Sequence, residues 1–271
     1  MSGTRGAIVL AHANGFPAGT YRKLFAVWRK AGFSVHALQK VGHDPRFPVT
    51  GNWPHLRAQL IEFIEREVDG PAVLVGHSLG GYLCLMAASR RPDLARSVVL
   101  LDSPVLSGWK ARALQVAKAI GVSGHVTAGR VSKGRRQHWP SAEAAFKHFA
   151  LKPAFARWAP GVLRDYIACG VEPHAKGQQL SFDRVVETDI YNTLPHHLDR
   201  VLRRHPLECA MAFVRGTESQ EVRQVGLRAT ERLAQGRISA IEGSHLFPFE
   251  RPVETAREVL RWIDLMSTPR L

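Results

Sequence analysis

One ten-residue segment limits the possible folds of this chain more than any other. Residues 72–81 read Ala-Val-Leu-Val-Gly-His-Ser-Leu-Gly-Gly, and Tyr82–Ser89 (YLCLMAAS) continues as an apolar run of helical period. A strand that passes into a helix this abruptly needs a tight, strained turn, and flanking glycines remove the Cβ atoms that would clash in it. Such a turn lifts the Ser78 hydroxyl away from the sheet. It also aims backbone N–H groups of the following helix at any anion that forms there. The segment predicts a buried strand, a nucleophilic serine at its C-terminal end, and a helix directly behind it.

Five further runs read as strands: Ala7–His12, Ser34–Leu38, Ser97–Leu101, Ala210–Val214 and Arg237–Ile241. Most are nearly continuous apolar stretches, as strands buried on both faces require. Helical periodicity fills the gaps at Tyr21–Ala31, Trp53–Val68 and Pro252–Met266, the last with Pro at a favourable first position. Alternating strands and helices predict an α/β fold: a doubly wound, mostly parallel sheet of about six strands with right-handed crossovers. The rhythm breaks after Asp102. Residues 105–205 contain no convincing strand and read as helices at Trp109–Ile120, Ser141–Leu151, Pro160–Cys169 and Leu194–Arg204. A structureless loop of that length does not suit a compact domain. The expected division is a core domain of residues 1–104 and 206–271 with a helical cap insertion at 105–205.

The chain carries a net charge of +14. The insertion holds 16 Lys and Arg against 7 Asp and Glu, so a site beneath it has a basic roof that would steer anionic substrates. The one tight basic cluster, Lys133-Gly-Arg-Arg136, matches no nucleic-acid-binding motif, and nucleic acid is not the expected partner. The apolar stretch Ala7–Ala13 is too short for a signal peptide, and no run reaches the length of a membrane span. Cys84, Cys169 and Cys209 are odd in number and far apart, which suggests free thiols in a reducing, cytoplasmic compartment. Neither a metal-spaced histidine cluster nor a phosphate-cradling loop is present, so no metal or cofactor is expected. Oligomeric state leaves no signal.

Of the 13 histidines, His245 has the position of a general base. It lies in Glu242-Gly-Ser-His-Leu-Phe-Pro248, after the last strand and before the final helix, where ligand chemistry collects in open α/β sheets. A second oxyanion donor must come from a loop beside the serine turn. Leu10-Ala-His-Ala-Asn-Gly-Phe-Pro17 follows the first strand and is built of small residues. The backbone N–H groups of Asn14 and Leu79 are the candidates for the oxyanion hole.

Taken together, His12-Ala-Asn-Gly15, Gly76-His-Ser-Leu-Gly80 and Gly243-Ser-His245 resemble, in this order, the α/β-hydrolase superfamily. The resemblance covers about 1–103 and 207–271, and the insertion lies where that family places its cap. It implies Ser78 as nucleophile, His245 as base, and a substrate cleft between the sheet's C-terminal edge and the cap. A serine rather than an aspartate at the turn implies acyl transfer, not the alkyl-enzyme ester of haloalkane dehalogenases.

The acid departs from the family pattern. Its usual position, a few residues past Gly216, holds Ser219 or Gln220 between Glu218 and Glu221. Some members, haloalkane dehalogenases among them, carry the acid one strand earlier, where this chain has Asp102. Asp102 is preferred, with Glu221 and Glu218 as alternatives.

The expected function is a serine hydrolase that cleaves carboxylic esters or related acyl substrates through an acyl-enzyme, with a small-molecule, potentially anionic, substrate. A thioesterase, a C–C bond hydrolase and a low-turnover ligand-binding protein of the same fold are the alternatives. Trp109, Phe146, Phe149, Phe155, Trp158 and Tyr166 would line an acyl pocket or form the core of the cap.

Overall fold

A computed structural model of the chain describes residues 5–119 and 134–267. Six strands form one sheet: β1 (Ala7–Ala11), β2 (Ser34–Ala37), β3 (Ala72–His77), β4 (Ala95–Leu101), β8 (Ala210–Gly216) and β9 (Ile238–Ile241). Their order is β2-β1-β3-β4-β8-β9, and every pairing is parallel. All six strands expected from the apolar runs are present.

The continuous apolar character follows from burial on two sides. Val9, Ala11 and Leu74 join a core cluster on one face with α2 (Pro54–Glu67) and α3 (Leu79–Arg90). Ile8, Leu10, Val73 and Val75 point the other way, into a second cluster with α1 (Arg22–Lys30) and the C-terminal helix Pro252–Ser267. Successive side chains of a strand face opposite sides, so two covered faces leave no polar positions. At about 25 cal/mol per Å2 of apolar area, each fully buried Leu or Val contributes on the order of 2 kcal/mol.

Between β4 and β8 the chain leaves the sheet. Helices occur there at Gly108–Ala119, Ala142–Ala150, Val162–Gly170 and Leu198–Arg204, close to the expected ones, with Ile120 of the first and Lys133 of the basic cluster outside the described residues. Two features differ from expectation. A helix spans Arg184–Asn192, and a small antiparallel sheet, β5 (His138–Trp139), β7 (Gly177–Leu180) and β6 (Val171–His174), crosses the region. These strands are short and mostly polar, so they carry no apolar run to read. Their geometry depends on Gly177, where a Cβ would lie 2.5 Å from the Trp139 carbonyl oxygen.

The insertion aromatics pack rather than line an open pocket. Phe149, Trp158 and Tyr166 are buried in the same cluster as one face of the main sheet, whereas Trp109 is exposed. Among the described residues, no helix is long and apolar enough to cross a membrane. The three cysteines are free thiols.

Candidate active site

Ser78 joins β3 to α3 with φ 53° and ψ −116°, a region L-residues avoid, at a cost on the order of 1–3 kcal/mol. The surrounding glycines make the turn possible. A Cβ on Gly76 would lie 2.5 Å from the backbone of Gly80 and Gly81, and one on Gly80 would lie 1.9 Å from the Ala11 carbonyl oxygen. The second contact shows how closely the helix start approaches the end of β1. Neither the Leu79 nor the Asn14 N–H donates a hydrogen bond among the described residues. Both expected oxyanion donors are thus free.

Asp102 directly follows β4 with φ 45°, another non-glycine residue in the left-handed region. Its fully buried carboxylate collects three donors. Gly216 N donates to Oδ1 at 2.8 Å, Ser219 Oγ donates to Oδ2 at 2.5 Å, and His245 Nδ1 lies 2.7 Å from Oδ2. Carboxylate acceptance requires the proton on Nδ1, which leaves Nε2 free to take one. Burial of the imidazole opposes its charged form, but the Asp102 hydrogen bond and the Glu221 and Asp102 charges outweigh it. The ring is held above the ordinary histidine range. No hydrogen bond joins Ser78 Oγ to this ring among the described residues.

Neither of the other two acid candidates hydrogen-bonds the ring. Glu218 pairs with Arg157 at 2.6 Å in an exposed contact. Glu221 Oε2 stands 3.7 Å from His245 Nδ1, beyond hydrogen-bond reach and half-exposed. Asp102, Glu221 and His245 are also the group that could hold a cation among the described residues. The Asp102 oxygen facing the ring already accepts two hydrogen bonds, which favours a proton there over a metal ion.

Several supporting residues have no signature in the sequence. Ser219 stands at one of the usual acid positions, donates to Asp102, and caps the helix Gln220–Val225 by accepting from Val222 N at 3.1 Å. Its place at a helix start, as an N-cap serine, was the one available hint. Ser103 Oγ donates to the Ser78 carbonyl at 2.9 Å, so the serine and acid turns are tied together; a Cβ on Gly81 would lie 2.1 Å from that Ser103 Oγ. Ser244 and Glu250 are hydrogen-bonded to each other and brace the His245 loop.

His77 is fully buried beneath the turn. Its Nε2 donates to the His245 carbonyl at 2.9 Å and its Nδ1 accepts from Tyr21 Oη at 2.7 Å, while Tyr21 Oη accepts from Ala13 N at 3.0 Å. Two buried side chains therefore connect the Ala13 loop to the His245 loop. Burial, and then the neighbouring His245 ring, hold His77 well below the usual histidine range. His12 accepts from Val41 N at Nε2, 3.0 Å away, and burial lowers its pKa to about 4. Both are neutral scaffold histidines.

From the insertion side, Asn14 Nδ2 donates to the Glu187 backbone carbonyl at 2.9 Å. Phe16 lies 5.8 Å from both Trp158 and Tyr166 and 5.2 Å from Phe249, ring centre to ring centre. Arg157 spans the same seam, reaching Glu218 and the buried Glu250.

Comparison with known proteins bears on the family and the fold. The sequence is 32% identical over 131 residues to a monoacylglycerol lipase of Mycolicibacterium smegmatis, covering 43% of this chain and 45% of that protein. It is 43% identical over 54 residues to Lipase LipV of Mycobacterium tuberculosis, 20% of this chain and 21% of that one. The chain thus matches less than half the length of either relative. Among solved structures, E-2-(acetamidomethylene)succinate hydrolase superposes with a TM-score of 0.75 at 23% identity, over 97% of this chain and 92% of that one. The thioesterase domain from the curacin biosynthetic pathway gives 0.71 at 17% identity, over 94% and 90%. Those identities speak to the fold alone. The sequence pattern of the alpha/beta hydrolase family matches residues 8–258, so this chain belongs to that family.

Proposed function

We propose that the protein is a serine hydrolase that cleaves carboxylic esters or related acyl compounds through an acyl-enzyme. The observation that carries the reading is the Asp102–His245 hydrogen bond of 2.7 Å, with a serine held in a strained strand-to-helix turn at the end of the adjacent strand. In this cycle His245 Nε2 takes the Ser78 proton as Oγ attacks the substrate carbonyl. The Asn14 and Leu79 N–H groups receive the oxyanion, and Asp102 keeps the ring in the Nδ1–H tautomer and stabilises the imidazolium. The imidazolium then protonates the leaving group, and water activated by His245 releases the acid. Protein groups alone suffice for each step.

Residues 105–205 serve as the cap in this reading. Their direct contacts to Asn14, Phe16 and the Glu218–Glu250 region support it.

A fluorophosphonate probe and p-nitrophenyl esters of several chain lengths test the proposal, with thioesters assayed beside them. Labelling and turnover should both vanish in Ser78→Ala and fall at least about 10^3-fold in His245→Ala. A folded wild-type protein that takes up no probe and turns over no acyl substrate would instead be a binder built on the hydrolase fold.

A further inference from the structure

Beside the oxyanion loop lies a buried ion pair that the acyl-transfer cycle does not use. Arg135 Nη1 donates to both Glu187 carboxylate oxygens, at 3.1 and 3.0 Å, and Nη2 donates to Tyr166 Oη. The two charged side chains are only 13% and 7% exposed. Desolvation largely offsets the attraction in such a pair, so it adds little stability for what it costs to bury. Its location is more telling. A Cβ on Gly15 would lie 2.8 Å from Glu187 Oε1 and 3.1 Å from Arg135 Nη1. Gly15 directly follows Asn14, whose side chain is bonded to the backbone of Glu187. The Glu187 carboxylate thus stands one residue away from an N–H assigned to the oxyanion.

A carboxylate in that place has a consequence for rate. Negative charge builds on the substrate oxygen only on the way to the tetrahedral intermediate, so a neighbouring anion raises the barrier without weakening ground-state binding. Resting on the serine-hydrolase reading, we infer that Arg135 is an electrostatic positioning residue: its guanidinium neutralises Glu187, so that the oxyanion forms beside a neutral pair. Tyr166 and Tyr191, which face the pair, are uncharged phenols kept above their ordinary range by burial, and His148 and Lys152 are the further titratable groups near Arg135. The insertion then acts on the chemical step as well as on access. The Arg135 cation of the insertion is committed to Glu187 instead of waiting for an anionic substrate.

The test is steady-state kinetics on a neutral p-nitrophenyl ester with Arg135→Met, Glu187→Gln and the double variant, each melted in parallel. Asn14 bonds to the backbone of residue 187, so all three keep that anchor. Arg135→Met should lower kcat roughly 50-fold with KM within about threefold, the order expected of a unit charge several ångströms away at an effective dielectric constant near 20. Glu187→Gln should keep at least wild-type kcat, and the double variant should recover to within about fivefold of wild type. Similar losses in all three, or a fall of about tenfold in Glu187→Gln, would overturn the inference and reduce the pair to a clasp for the insertion. Should Arg135→Met fail to fold, Glu187→Gln and the double variant decide the matter alone. Fluorophosphonate labelling separates the two kinds of failure. A labelled wild type with the wrong kinetic pattern sinks only the charge inference, whereas an unlabelled, inactive wild type sinks the hydrolase reading and the inference with it.

Discussion

The two sides of the candidate site are built in different ways. On the sheet side, Ser78 and Asp102 sit at strand ends in left-handed backbone conformations, and glycines with no room for a Cβ fix the turns. Among the described residues of the insertion, none other than glycine has a left-handed φ. Asn14 and Gly15 meet it through side chains and one carbonyl, in the Arg135–Glu187–Tyr166 cluster and the Phe16 aromatic contacts. Backbone strain places reacting atoms to within a fraction of an ångström because packed strands cannot relax it. Side-chain contacts tune charge and closure and tolerate more change. Substitutions on the sheet side should therefore be severe and local, and those on the insertion side graded and electrostatic.

The largest expected contrast concerns the acid. Asp102→Asn should lower kcat by roughly 10^3- to 10^4-fold by upsetting the imidazole tautomer, whereas Glu218→Gln should change it less than about twofold. Comparable losses from the two would assign the acid differently. A stability contrast comes next. Gly81→Ala drives a Cβ to 2.1 Å from Ser103 Oγ and should cost about 2–4 kcal/mol in urea denaturation. Gly134→Ala, where a Cβ meets nothing within 4 Å, should stay within about 0.5 kcal/mol.

Buried histidines sharpen the picture further. His12 is fully buried with its pKa lowered to about 4. The unfolded chain therefore binds a proton below about pH 6.5 that the folded chain refuses until about pH 4. The stability it contributes is complete above about pH 6.5 and is lost as pH falls through that window, on the order of 3 kcal/mol. Denaturation midpoints from about pH 7 to about pH 4 should fall less steeply in His12→Gln, whose side-chain oxygen can still accept from Val41 N. An unchanged slope would contradict a neutral buried His12.

The smallest effect is on the pH profile. His245 is held above its ordinary range and must be neutral to accept the serine proton, so kcat/KM should rise with pH through an apparent pKa above 6.5. The charged or titratable groups around the ring are Asp102, Glu221 and His77. Glu221→Gln removes one carboxylate and should shift that limb to lower pH by less than about one unit, leaving the plateau within about threefold. A collapsed plateau would make Glu221 more than a neighbouring charge.

What could be read from the sequence was local. The four central strands announced themselves as apolar runs because both faces of the sheet are covered there. The serine turn announced itself because only glycines fit around it. Where neighbours in space are far apart in sequence, the reading ran out. Three carboxylates were open for the acid, and the pairing of β4 with β8 decides which one meets His245. It sets Leu101 beside Val214 and so brings Asp102 against Gly216 and Ser219, out of line with the surface position of Glu218. The polar strands of the insertion, the Tyr21–His77 link and the Arg135–Glu187 pair left no periodic trace for the same reason. Each depends on partners that only the folded chain brings together: 52 positions apart for Arg135 and Glu187, 56 for Tyr21 and His77. Hydrophobic period and turn chemistry are written residue by residue, whereas hydrogen bonds and compensating charges between distant segments exist only once tertiary packing sets their distances.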